Sequence, residues 1–250
     1  MTRPLLLLVP GMFNTPAIWD DVCAALARQA DSPEVCVADV LTQDSIGAMA
    51  DDAWALVEGR LAADRPLCVA GFSMGGYVAL ELMARHPGRV QGLGMVDSAA
   101  GIETADSLVV REKTIGALQR NFERTVEGII PFSLHPDHAG DSGLVEGMRR
   151  MMHAVGAEAA IRQTRALMQR GDQRAWLARW RGAALVLCGR ADKVTPPASS
   201  EELLRLLPQA RACWIEQAGH QTPLEAPQVV ADALLALCRD ACRPAPEPSR

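Results

Sequence analysis

Six short apolar runs, near residues 4–9, 34–40, 66–71, 90–96, 183–188 and 210–217, recur along this chain with helical patterns between them. Runs of this length between helices read as buried strands, and strands separated by helices return by crossovers and lie parallel to one another. A parallel sheet must bury both faces, so helices cover it on each side. The pattern predicts an α/β protein, three layers α/β/α, with a mostly parallel six-stranded sheet. With 250 residues, 49% of them apolar, the chain has enough material for one such core.

One interval breaks the rhythm: residues 98–182 separate two consecutive strands by about 85 residues, where crossovers need far fewer. Helical periodicity over Ser107 to Phe122, Gly143 to Val155 and Glu158 to Gln169, with Ile130-Pro131-Phe132 and the Pro136 to Gly143 region as joints, predicts a helical cap over one sheet edge. The expected organisation is a core of 1–97 and 183–242, a cap insertion of 98–182 and a proline-rich, disordered tail of 243–250.

Within the third run the chain reads Gly71-Phe72-Ser73-Met74-Gly75, between Leu67-Cys68-Val69-Ala70 and the helical pattern from Tyr77 to Met83. A strand-to-helix turn this sharp needs glycines where the backbones approach, and it lifts Ser73 above the sheet edge. The helix then aims its first amides, beginning with Met74, at negative charge developing beside the serine oxygen.

A serine hydroxyl becomes a nucleophile when a neighbouring imidazole removes its proton. Downstream, Asp192 follows the run Ala183 to Cys188 in Gly189-Arg190-Ala191-Asp192, and His220 follows Ala212 to Glu216 in Ala218-Gly219-His220. Loops at the carboxyl ends of parallel strands share one edge, so Ser73, Asp192 and His220 can converge there. Asp97, in Met95-Val96-Asp97-Ser98, is a second candidate acid at a strand end. His135 and His138, in His135-Pro136-Asp137-His138, have a spacing open to metal ligation but no accompanying second cluster.

From Pro4 to about Arg239 the chain resembles the α/β-hydrolase fold superfamily, in its small single-domain branch of esterases, lactonases, carbon-carbon bond hydrolases and cofactor-free haloperoxidases. Four motifs carry the resemblance: Val9-Pro10-Gly11-Met12, Gly71 to Gly75, Gly189 to Pro197, and Ala218-Gly219-His220 with Pro223-Leu224-Glu225 downstream. The order Ser, Asp, His is that of the superfamily. The first motif has Pro10-Gly11 where relatives commonly carry His-Gly; the resemblance places one oxyanion-binding amide on Met12, and Met74 supplies the other. It implies Asp192 as the acid, because its Gly-Arg-x-Asp and Thr-Pro-Pro surroundings match the usual acid loop.

The expected function is a serine hydrolase of a small ester, thioester or lactone, working through an acyl-enzyme. Carbon-carbon bond hydrolysis or triad-assisted elimination, and a non-catalytic ligand-binding role, remain alternatives. No cofactor and no metal are expected. A formal charge of −5 without a basic patch argues against nucleic acid, and no run nears the roughly 18 apolar residues of a membrane span. The expected partner is a small-molecule substrate, with the chain a monomer or homodimer in the cytoplasm. The seven cysteines, an odd number falling mostly in apolar runs, read as reduced core residues. In the cap, Met148, Met151, Met152, Met168, Phe122 and Phe132 are candidate pocket walls. Arg111, Arg120, Arg124, Arg149, Arg150, Arg162 and Arg165 are candidates to meet a substrate carboxylate.

Overall fold

The computed structural model describes residues 3–62 and 64–243. Six strands, β1 (Leu5–Val9), β2 (Glu34–Val37), β3 (Leu67–Phe72), β4 (Gly92–Val96), β5 (Ala183–Gly189) and β6 (Arg211–Ile215), form one sheet in the order β2-β1-β3-β4-β5-β6. Every pairing is parallel. The helices of the core are α1 (Asp20–Ala27), α2 (Ile46–Glu58), α3 (Met74–Arg85), and, after the insertion, α8 (Pro197–Leu206), α9 (Thr222–Glu225) and α10 (Pro227–Ala241). Between β4 and β5 lie α4 (Ala105–Arg120), α5 (Phe122–Ser133), α6 (Ser142–Met168) and α7 (Arg174–Leu177).

Strand β1 shows why the sheet is sandwiched. Its alternating residues point to opposite faces: Leu5, Leu7 and Val9 join the core under α2, α3 and α8. Leu6 and Leu8 join the core under α1 and α10. All five are fully buried, and burying a large aliphatic side chain contributes about 1.5–3 kcal/mol each. A run of five apolar residues without polar alternation is therefore what a central strand covered on both sides requires.

A third core forms within the insertion, where Leu118 of α4, Val126 and Ile130 of α5, and Met148, Met152 and Val155 of α6 pack together with Phe13 from the loop after β1. These helices start at side-chain caps: the Thr104 and Ser107 side chains cap α4 reciprocally, Asn121 accepts from the Arg124 amide, and Asp141 accepts from the Gly143 and Leu144 amides.

Two local expectations need correction. Ile130-Pro131-Phe132 is not a joint but the last turn of α5, because a proline ten residues into a twelve-residue helix disturbs only its end. The two helices expected over 143–155 and 158–169 run into one another as α6, with a break at Gly156, whose φ of 74° and ψ of 168° are not helical. Residues 244–250 of the expected tail lie outside the described residues. No described helix is long and apolar enough to cross a membrane.

Candidate active site

The carboxyl ends of β1, β3, β4, β5 and β6 carry, in that order, Met12, Ser73, Asp97, Asp192 and His220 in the loops or turns that follow them. Ser73 sits at φ 51° and ψ −116°, a conformation that costs a side-chain-bearing residue about 1–3 kcal/mol. The neighbouring glycines make the turn sterically feasible: a Cβ on Gly71 would lie 2.1 Å from the Gly75 carbonyl oxygen, and one on Gly75 would lie 2.2 Å from that of Val9. Three hydrogen bonds hold the backbone of the strained residue, from the Ser73 amide to the Val96 carbonyl (2.9 Å) and to the Ser73 carbonyl from the Ser98 hydroxyl (2.7 Å) and the Gly76 amide (3.0 Å).

Ser73 Oγ lies 3.0 Å from His220 Nε2, and His220 Nδ1 lies 2.8 Å from Asp192 Oδ2. Both partners of the imidazole are positioned from outside. The Asp192 carboxylate accepts from the Val194 amide (2.7 Å), the Thr195 amide (3.0 Å) and the Thr195 hydroxyl (2.8 Å), and the Phe72 ring packs at 5.2 Å from the imidazole. With Nδ1–H donating to Asp192, the Nε2 lone pair faces the serine hydroxyl.

Asp97 takes a different place. It is fully buried at φ 43°, and its carboxyl receives the Gly189 amide (2.9 Å) and both the amide and hydroxyl of Thr222. Those bonds join the end of β4 to the loops bearing Asp192 and His220. Burial, and then the charge of Asp192, push its carboxyl well above the usual range.

Met74 opens α3, so its amide has no intrahelical acceptor. The Met12 loop is tied to the insertion instead: the Phe13 amide, at φ 65°, donates to Gln163 Oε1 of α6 (3.1 Å), and Gln163 Nε2 donates to the Val40 carbonyl (3.0 Å). Met12 and Met74 both line a cavity of about 470 Å³ that also holds Ser73 and His220. Its walls come from the core and from α4, α5 and α6 together, with Val110, Ile129, Met148 and Met152 on the insertion side. Of the cap residues singled out in the sequence, Met148, Met152, Phe132 and Arg111 line it.

The residue that sequence reasoning passed over is Glu225. Its side chain is fully buried, and its two oxygens gather four donors: the Gly219 amide (2.9 Å) and Gln221 amide (3.1 Å) on one, the His135 amide (2.8 Å) and His138 Nδ1 (2.9 Å) on the other. Gly219 and Gln221 flank His220, so this carboxylate grips the histidine loop on both sides and fastens it to the segment after α5. The His220 amide adds a bond to the Ser133 carbonyl (2.7 Å). The signal in the sequence was the motif Pro223-Leu224-Glu225, and the separation of 87 residues hid its partner His138.

Asp97, Cys188 and Asp192 are the one group among the described residues with metal-ligand spacing. The Cys188 thiol is pushed up to about 12 by burial and by Asp97, and the Asp192 oxygens are occupied by amide, hydroxyl and imidazole donors, so the trio fits a metal poorly. His135 and His138 are likewise engaged, His138 with Glu225 and His135 with the Asp137 amide. A larger groove, about 1080 Å³, lies near the amino ends of β1 and β2, lined by Pro4, Val35, Cys23, Cys238 and Cys242 among others. Volume does not make it the site: it has no histidine, and burial, followed by the charge of Asp20, raises the Cys23 thiol to about 11.

The chain is similar to a pimeloyl-[acyl-carrier protein] methyl ester esterase of Neisseria meningitidis serogroup B, 29% identical over 237 residues, covering 92% of this chain and 84% of that one. A second protein of that description, from Nitrosomonas europaea, is 25% identical over 243 residues, covering 90% of this chain and 92% of that one. Among solved structures, a thermophilic esterase from Thermogutta terrifontis superposes with a TM-score of 0.83 at 24% identity, over 97% of this chain and 92% of that one. An enol-lactonase from Burkholderia xenovorans superposes with a TM-score of 0.82 at 19% identity, over 96% and 92%. The fold is therefore that of the α/β-hydrolases, and because a family model described as serine aminopeptidase, S33, matches residues 40–227, the chain belongs to that family.

Proposed function

We propose that the protein is a carboxylic-ester hydrolase in which Ser73 is the nucleophile, His220 its general base and acid, and Asp192 the carboxylate that orients His220. The observation that carries this reading is the continuous contact from Ser73 Oγ through His220 to Asp192, at 3.0 and 2.8 Å, built on a strained elbow that opens into a cavity. As Ser73 Oγ attacks the ester carbonyl, its proton passes to His220 Nε2, and the Met12 and Met74 amides receive the tetrahedral oxygen. Collapse breaks the bond to the leaving alcohol, which takes the proton from Nε2. Water then attacks the acyl-enzyme by the same route, and the acid leaves. Asp192 holds the imidazole in the tautomer that this cycle needs and offsets the charge on the imidazolium. The removal of one oxyanion donor in such a site typically costs about 3 kcal/mol.

The methyl ester esterases among the relatives support an ester bond on an acyl chain as the target. The helical insertion serves as a cap that shapes the acyl site and limits water. The test is intact-mass analysis after exposure to a fluorophosphonate, with peptide mapping and a p-nitrophenyl ester series on the same sample. One adduct per chain, on Ser73, together with ester turnover is the expected result. A folded protein that takes no adduct and turns over no ester refutes the reading.

A further inference from the structure

Of the seven arginines of the insertion that the sequence offers as carboxylate partners, Arg111 alone, among the described residues, lines the cavity that holds Ser73 and His220. Others are engaged elsewhere: Arg149 pairs with Glu127 and Glu146, and Arg162 donates to the Leu41 carbonyl. Arg111 Nε donates to Glu103 Oε1 at 3.1 Å, while among the described residues no acceptor bonds its two Nη groups.

Glu103 is shared. Its carboxylate also meets Arg170, whose side chain is buried, donates to the Gly101 carbonyl at 3.0 and 2.8 Å, and lies 4.2 Å over the Tyr77 ring. Burial raises the Glu103 carboxyl, but hydrogen bonds from Ser107 and Arg170 and the charges of Arg111 and Arg170 outweigh it, so the group sits below its usual range and stays ionised. One carboxylate therefore faces two guanidiniums. No other acidic side chain lines the cavity among the described residues, and Lys193 adds a further cation to its lining. The wall carries uncompensated positive charge in a partly desolvated place, and a desolvated cation gains most from an anion that completes its hydrogen bonds. The intervening surface is apolar, with Val110, Ile129 and Met152 suited to methylenes.

We propose that Arg111 forms a carboxylate subsite, and that the substrate is a half-ester of a dicarboxylic acid whose free carboxylate docks on Arg111 while the ester carbonyl lies at Ser73. This rests on the ester-hydrolase reading. The cavity of about 470 Å³ has room for a short chain between the two ends.

The test compares mono-p-nitrophenyl glutarate, adipate and suberate with p-nitrophenyl pentanoate, hexanoate and octanoate, matched in chain length. At the best length the half-acid is expected to exceed its neutral match by about tenfold or more in kcat/KM, mostly through KM. Arg111→Met is expected to bring the ratio to about one, mainly by raising KM for the half-acid, and Arg111→Lys to keep part of the preference. A wild-type ratio at or below one for every length, or a preference that survives Arg111→Met, overturns the subsite. Calorimetry of glutarate, adipate and suberate with Ser73→Ala decides it without turnover: binding that Arg111→Met removes supports the subsite, and no binding overturns it. Failure of the hydrolase reading is a separate result, seen as no turnover of any ester and no fluorophosphonate adduct.

Discussion

Replacing Glu225 tests how the histidine loop is held. In Glu225→Ala four donors lose their acceptor: the amides of Gly219, Gln221 and His135, and His138 Nδ1. The His138 side chain is 30% exposed and can turn to water at little cost. The three amides are partly buried, and each orphaned donor costs about 1–3 kcal/mol, less where water enters the space left by the side chain. A total of about 3–5 kcal/mol follows. For a domain of this size each kcal/mol shifts the melting temperature by roughly 2–4 °C, so a drop of about 10 °C is expected. In Glu225→Gln one oxygen still accepts from Gly219 and Gln221, and neutral His138 can accept from the new amide, leaving the His135 amide as the unmatched group. That variant should lose about 1–2 kcal/mol. Kinetically, a loop free to shift by about an ångström misaligns Nε2 with Ser73, and kcat should fall by about tenfold or more in the alanine variant, with the glutamine variant between it and wild type. The assays are thermal unfolding followed by circular dichroism and ester turnover on the same preparations. An alanine variant that melts within about 2 °C of wild type and keeps kcat within about twofold would refute the argument.

Ser73→Ala should abolish ester turnover and fluorophosphonate labelling while leaving unfolding nearly unchanged; retained turnover would remove Ser73 as nucleophile. Asp192→Asn should cost orders of magnitude in kcat, since the imidazole then loses its orienting acceptor. Asp97→Asn should cost far less kcat than Asp192→Asn, because the Asp97 carboxyl bonds the Gly189 amide and Thr222 while the imidazole bonds Asp192. The upward shift of the Asp97 carboxyl fixes a sign: the folded state keeps the Asp97 proton that the unfolded chain releases near pH 4, so this group's contribution to stability declines as pH rises from there through its folded value. Asp97→Asn should flatten that part of the stability profile, and an unchanged slope would show that Asp97 does not cause it. Gly75→Ala should prevent folding or cost several kcal/mol, because its Cβ would sit 2.2 Å from the Val9 carbonyl oxygen.

What the sequence made legible is what local chemistry dictates. The Leu5 to Val9 run declares a strand buried on both faces because it has no polar alternation, and all six strand runs fall where the apolar residues put them. The elbow is legible because the glycines beside Ser73 answer a backbone collision set within a few residues. Helix α5 was not, because Pro131 looks like a breaker unless one sees that the helix has already made nine residues before it. The break at Gly156 was half legible: the residue marks the place, but only the fold shows that α6 continues past it.

The site was legible in its reacting groups and illegible in its supports, for one physical reason. Ser73, Asp192 and His220 each follow a strand, so their convergence depends only on the strands being parallel. Their supports depend on which distant segments happen to meet. Gln163 holds the Phe13 amide across 150 residues, Glu225 reaches His135 across 90, and Arg170 meets Glu103 across 67. The first two bonds have one end in the segment between β4 and β5 and the third has both there, and each bears on the cavity or the loops around it. Periodicity cannot encode such a contact, because a single buried glutamate or glutamine leaves the apolar pattern of its own helix unchanged. A substitution at Gln163 should accordingly spare the sheet core and loosen the Met12 loop, so Gln163→Ala should lower kcat for esters more than it lowers the unfolding midpoint. Equal and large losses of both would mean that the insertion and the sheet stand or fall together.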